Sequence, residues 1–143
     1  MPATRIQGAK FEDHRGEMVF CNDLDLSAVQ RFYRIKPADT NLIRGWQGHR
    51  KESKWFHCLR GSFVLNTVRV ENFETPDESI QPDVFNLQAT SPEVVYVSGG
   101  MCTAFKATSP DSELLVYSDS SVADSAADDY RFPIEQWEFR EID

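Results

Sequence analysis

Short apolar runs, alternating with polar residues and separated by turn formers, set the limits on this fold. Arg31–Ile35 (RFYRI), Lys54–Leu59 (KWFHCL), Ser62–Val70 (SFVLNTVRV), Val84–Leu87, Val94–Val97, Cys102–Lys106 and Leu114–Tyr117 are the runs. Gly, Pro, Ser, Asp and Asn fill the spacers. A side-chain period of two over such lengths is the pattern of a strand. Seven or more short strands at this spacing predict an all-β sandwich or barrel. Phe63, Leu65 and Thr67 share one face of the third run. Asp13-His14-Arg15-Gly16 reads as the turn of an early hairpin. Helical periodicity is nearly absent. Ser27–Gln30 allows one turn, and Ile134–Phe139 reads as a short helix starting after Pro133.

A chain of 143 residues has material for one core and not for two. We therefore expect a single domain over 1–143, with a barrel over about 5–120, an acidic loop at 118–129 and a C-terminal tail at 130–143. Fifteen Lys and Arg against 23 Asp and Glu leave a net charge of −8, the wrong sign for gripping a nucleic-acid backbone. No apolar run approaches the roughly 18 to 20 residues that cross a bilayer. Met1-Pro2-Ala3-Thr4-Arg5 is followed by no signal-like apolar segment. Cys21, Cys58 and Cys102 are scattered and form no CxxC pair, as expected of free thiols in a reducing cytoplasm. The polar, acidic stretch SDSSVADSAADD (118–129) reads as a solvated surface loop. Tyr130, Phe132, Ile134, Trp137 and Phe139 then predict a tail that docks on the barrel or on a partner subunit.

The densest polar constellation is IRGWQGHRKESK (43–54), which holds four cations, one imidazole and two glycines. In an acidic chain this local reversal of charge points to a small anionic ligand. Arg forks grip phosphate or carboxylate in bidentate fashion and Lys adds a point charge. Arg50, Lys51 and Glu52 read more simply as a charged strand end facing water. His49, in the loop, is either a solvated side chain or a general base whose cationic neighbours keep it neutral. His57 reads as a hydrogen-bonded strand residue, and His14 sits in a turn.

Arg44-Gly45-x-Gln47-x-His49, then Lys54, then Cys58-Leu59-Arg60-Gly61, resembles the first signature of the sugar-nucleotide cupins. These are the dTDP-4-dehydrorhamnose 3,5-epimerases and the dTDP-4-keto-6-deoxyhexose 3,4-ketoisomerases. Arg31-Phe32-Tyr33 is similar to the ketoisomerase pattern, and Asp13-x-Arg15-Gly16 to an epimerase turn. The resemblance runs from about Phe11 to Trp137, and the short chain suits the ketoisomerase branch. It implies a cupin jelly-roll barrel and a homodimer. Gln47 stands where the family has the histidine of RGxH, and an amide does not abstract a proton. In Val97-Ser98-Gly99-Gly100-Met101-Cys102-Thr103, Thr103 stands where a second histidine is expected. A metal-binding cupin wants three histidines and a glutamate. With His49 alone, no metal and no cofactor are expected.

The chemistry implied by the resemblance is proton abstraction next to the ketone of a nucleotide-linked 4-keto-6-deoxysugar. Lys54 would stabilise the enolate, His49 would serve as base or shuttle, and Tyr117 would be the acid. Arg15 and Arg44 would hold the diphosphate or orient the sugar. Tyr33 or Trp46 would stack on a base or sugar, and Gln47 would read a substrate hydroxyl. The alternative is a cupin that binds a sugar nucleotide or anionic metabolite without turning it over.

Overall fold

The computed structural model describes residues 3–142. Met1, Pro2 and Asp143, with which the expected domain begins and ends, lie outside the described residues. In chain order the elements are β1 (Thr4–Gln7), β2 (Ala9–Asp13), β3 (Gly16–Phe20), β4 (Arg31–Ile35), β5 (Arg44–His49), β6 (Lys54–Arg60) and β7 (Ser62–Arg69). They continue with β8 (Asp83–Gln88), β9 (Glu93–Val97), β10 (Met101–Ala107), β11 (Glu113–Ser118), α1 (Val122–Ala126), β12 (Tyr130–Arg131) and a 3-10 turn at Ile134–Gln136. Each of the seven runs singled out in the sequence is a strand.

Two antiparallel five-stranded sheets form a jelly roll. One has the order β1-β9-β6-β11-β4 and the other β12-β5-β10-β7-β8, while β2 and β3 form a separate two-stranded sheet. The period-two pattern sends Phe56 and Cys58 of β6, Val95 and Val97 of β9, and Leu114 and Val116 of β11 inward. From the facing sheet they meet Phe63, Leu65, Phe85, Leu87 and Phe105. Each such side chain contributes about 1.5–3 kcal/mol on leaving water.

The second sheet is covered on both faces, which explains why β7 is buried almost throughout. Phe63, Leu65 and Thr67 face the barrel interior, as the alternation predicts. Val68 faces a second apolar cluster with Trp46, Val70, Phe73, Cys102, Ala104 and Trp137. Tyr130, Phe132, Ile134 and Phe139 pack on it. The tail therefore docks on this same barrel.

Two expectations about the C-terminal region need correction. The helix expected over Ile134–Phe139 is only a 3-10 turn at Ile134–Gln136. The tail instead stays mostly extended, because β12 pairs with β5 and because Asn66 exchanges two hydrogen bonds with the Arg140 backbone, at 2.8 and 2.9 Å. The 118–129 stretch is not merely a solvated loop. Val122–Ala126 forms a one-turn helix capped by Ser121, whose hydroxyl accepts from the Asp124 N–H at 3.1 Å. The segment's aspartates turn back onto the barrel. Cys21, Cys58 and Cys102 are free thiols. No helix among the described residues is long and apolar enough to cross a membrane.

Candidate active site

The RGWQGH stretch, expected to be a loop, is strand β5. Its alternation sends Trp46 and Gly48 outward, toward the tail cluster, and Gln47 and His49 inward. Gly45 has φ +145°, and a Cβ there would lie 2.7 Å from the Thr103 carbonyl oxygen. A Cβ on Gly48 would collide with the Cys102 sulfur and come within 2.9 Å of Phe73. The two glycines thus permit close packing of β5 on β10 and on the tail.

A cavity of about 210 Å³ opens at this end of the barrel. Its polar lining comes from Tyr33, Arg44, Gln47, Lys54, Thr103 and Arg131, with Phe56 and Phe105 as apolar floor. Gln47 pairs with Thr103 across β5–β10 and with Arg131 across β5–β12. The two positions where the family pattern has histidine, 47 and 103, are therefore neighbours on one wall. Gln47 donates to Asp129 Oδ1 at 3.1 Å, and Arg131 is paired with the same carboxylate. Three cations and no carboxylate line the cavity, so its charge suits an anionic group.

Beside the cavity lies a buried polar cluster. The Glu52 side chain is fully buried. Its Oε2 accepts from Ser118 Oγ at 2.6 Å and lies 3.4 Å from Arg31 Nη2. Burial pushes the Glu52 carboxyl upward, but hydroxyl bonds from Ser118 and Ser125 and the charges of His49 and Lys54 outweigh it, leaving the pKa below the usual value. Burial lowers the Lys54 pKa, against the opposing pull of Glu52. The Lys54 ammonium sits 5.8 Å from the centre of the Tyr33 ring. Burial and the Glu52 charge push the Tyr33 hydroxyl up to about 12, so it stays protonated and able to donate.

His49 is 5% exposed, not solvated. Its Nδ1 lies 2.7 Å from the Asp128 carbonyl oxygen and 3.5 Å from Glu52 Oε1, and its Nε2 has no hydrogen-bond partner among the described residues. Burial first, then the Lys54 charge, lowers its pKa. The direction is the expected one, but the largest cause is burial, with Lys54 the one cation of the stretch that adds to it.

Of the residues singled out in the sequence, Tyr33, Arg44, Trp46, Gln47 and Lys54 line the cavity. His49 faces inward from the same strand as Gln47 but lies outside the lining. Two others, Arg15 and Tyr117, do not converge there. Arg15 sits at the tip of the β2–β3 hairpin, 75% exposed and clamped to Asp13 at 2.7 Å. Trp46 meets the cavity, but its indole N–H turns to the tail and donates to the Ile134 and Trp137 carbonyls, both at 3.2 Å. Tyr117 pairs with Phe32 on the outer face of its sheet, because Val116 and Ser118 take the inward positions. Arg131 and Asp128 were not foreseen. Both lie in segments whose composition speaks only of a surface loop and an apolar tail. Among the described residues no three His, Cys, Asp or Glu side chains form a metal-ligand cluster.

No protein-family model and no curated protein matches the sequence. Solved structures do. The 3,4-ketoisomerase QdtA from Thermoanaerobacterium thermosaccharolyticum, in complex with TDP, superposes with a TM-score of 0.71 at 17% identity, over 94% of this chain and 90% of that one. The 3'-monoepimerase ChmJ from Streptomyces bikiniensis, in complex with dTDP-quinovose, gives 0.74 at 19% identity, over 92% and 70%. The RmlC epimerase of Mycobacterium tuberculosis gives 0.74 at 17%, over 91% and 68%. The chain shares the fold of these three enzymes. Within the jelly-roll barrel, the cation-lined cavity lies between Tyr33 and Lys54 of one sheet and Arg44, Gln47, Thr103 and Arg131 of the other.

Proposed function

We propose that this protein is a cofactor-independent isomerase or epimerase acting on a nucleotide-linked 4-keto-6-deoxysugar in deoxysugar or polysaccharide biosynthesis. The observation that carries the reading is the cavity in which Lys54, Arg44 and Arg131 converge with no carboxylate among the lining residues. Fold alone does not carry it, because one fold hosts many activities. QdtA has been solved with TDP-4-keto-6-deoxyglucose, which makes that compound the substrate to try first.

In this reading Arg44 and Arg131 hold the diphosphate, Gln47 reads a sugar hydroxyl and Tyr33 contacts the sugar. A base takes the proton from the carbon next to the ketone, and the electron pair moves to the carbonyl oxygen. The Lys54 ammonium stabilises that oxyanion in a site of low dielectric. His49 supplies the base, since its lowered pKa leaves it neutral near pH 7. Tyr33, on the cavity wall against Lys54, takes over the acid role first given to Tyr117 and returns a proton to carbon or oxygen.

The reading includes a single-domain protein that forms a homodimer. The β2–β3 hairpin stands apart with Phe11 54% and Met18 62% exposed, and a lone two-stranded hairpin is marginal in water. A second copy of the chain would cover it. A cytoplasmic location fits the three free thiols.

The test is to incubate the protein with dTDP-4-keto-6-deoxyglucose and follow the sugar by proton NMR. New ring-proton signals from an isomeric keto-sugar are expected. An unchanged sugar whose dTDP signals broaden saturably would replace the enzyme by a binding protein. An unchanged sugar with no broadening would remove the substrate class altogether.

A further inference from the structure

We propose that Asp128 is a positioning residue for His49. It anchors the 119–129 segment across the β5–β6 turn, so that His49 is held with hydrogen on Nδ1 and an open lone pair on Nε2. Its catalytic consequence rests on the proposed isomerase reading, in which His49 is the base. The structural part stands independently of it.

Two separate sets of contacts meet at this residue. The first involves its carboxylate. The backbone N–H groups of Arg50, Lys51 and Glu52 donate to Asp128 at 2.8, 2.9 and 3.0 Å. The next N–H, of Ser53, donates to Asp119 Oδ1 at 2.8 Å. Four successive N–H groups turned to one side form a concave anion site, and here the chain fills it with its own carboxylates. The three N–H bonds outweigh the effect of burial and keep the Asp128 carboxyl below the usual pKa, so it stays ionised.

The second contact is the 2.7 Å one between His49 Nδ1 and the Asp128 carbonyl oxygen. A carbonyl only accepts, so Nδ1 carries the hydrogen and the neutral ring keeps its lone pair on Nε2. That Nε2 is buried and unpartnered. A buried ring nitrogen left without a partner costs free energy and is kept as an acceptor poised for a proton. The groups facing His49 are Glu52 from the turn, Lys54 from β6, and Asp128 and Asp129 from the acidic segment. Across the β5–β10 ladder its neighbour is the apolar Met101.

The contacts differ from those of a solvated acidic residue, and the segment offers its own control. Asp124 is exposed, in the same segment and of the same charge. An amide at 128 would turn its NH2 toward N–H donors, so Asp128→Asn should resemble Asp128→Ala rather than the wild type.

The experiment is long-range proton–nitrogen NMR of ¹⁵N-histidine-labelled, ligand-free protein across pH 5 to 8, with assignment through His49→Gln. Wild-type His49 is expected to show the Nδ1–H tautomer and to titrate below the ordinary histidine value. In Asp128→Ala and Asp128→Asn it should become a mixture of tautomers and titrate at a different pH, while Asp124→Asn leaves it unchanged. In turnover assays the two Asp128 variants should lose kcat on the order of 10-fold, with KM little changed. Wild-type His49 as the Nε2–H tautomer would overturn the proposal, even if neither Asp128 variant folds. So would tautomer and titration unaltered in a folded Asp128→Ala. Failure of the wild type to turn over substrate, with the NMR result as expected, would remove the isomerase reading and leave the positioning role intact.

Discussion

Replacing Trp137 by alanine tests how the tail is built into the site. The side chain is 1% exposed, donates its indole N–H to the Asp77 carbonyl at 2.8 Å, and stands edge-on to Trp46 and Phe132 with ring centres 5.3 and 5.5 Å away. Truncating a buried tryptophan costs about 3–5 kcal/mol in transfer and cavity terms together. The tail has little freedom to collapse into the space, because Asn66 pins Arg140 downstream and β12 pins Tyr130 and Arg131 upstream. The upper part of that range is therefore expected, about 4 kcal/mol, with a fall in Tm of roughly 10 °C or more for a domain of this size. Urea unfolding would measure it, as a lower midpoint at an unchanged slope. Near-ultraviolet circular dichroism should lose signal from Trp46 at the same time. TDP should bind more weakly, because Arg131 reaches the cavity from the same tail. A loss below about 1 kcal/mol, well under the cavity range, would refute a docked tail.

Four other outcomes follow from the structure. Lys54→Met should keep the fold and lower turnover by about 10²–10³-fold, the usual loss when an oxyanion-stabilising group is removed; unchanged turnover would clear Lys54 of that role. Tyr33→Phe should impair turnover while Tyr117→Phe leaves it intact, because only Tyr33 lines the cavity; the reverse result in a kinetic assay would restore Tyr117. Stability should fall with acid in two stages, read as Tm against pH. His49, Glu52 and Asp128 all have folded pKa values below their ordinary ones. The unfolded chain thus takes up protons first, at His49 below about pH 6.5 and at the carboxylates below about 4, and His49→Gln should remove the first stage. Met18→Asp should shift the protein from dimer to monomer in light scattering, without lowering the stability of the barrel.

The strands were legible because a sheet with one buried face writes its period into the sequence. In β11, Leu114 and Val116 point inward while Leu115 and Tyr117 point outward. The same parity decides against Tyr117, since the inward positions on either side of it belong to Val116 and Ser118. β5 was obscured by its glycines and by a charged turn, and its outward residues are covered by the tail rather than by water. The tail's burial was visible in Trp137 and Phe139, but its extended path was not, because β12 and the Asn66–Arg140 bonds are long-range contacts. The acidic segment misled for a similar reason. Nothing local in SDSSVADSAADD shows that Asp119 and Asp128 meet four N–H groups from residues 50–53.

Deuterium wash-in tests the central claim most directly. The protein and dTDP-4-keto-6-deoxyglucose are mixed in D₂O, and the sugar is read by NMR beside Lys54→Met. The account predicts deuterium on the carbon next to the ketone with the wild type and a loss of that label with the variant. A sugar that binds but stays unlabelled in the presence of the wild type would contradict proton abstraction at this site.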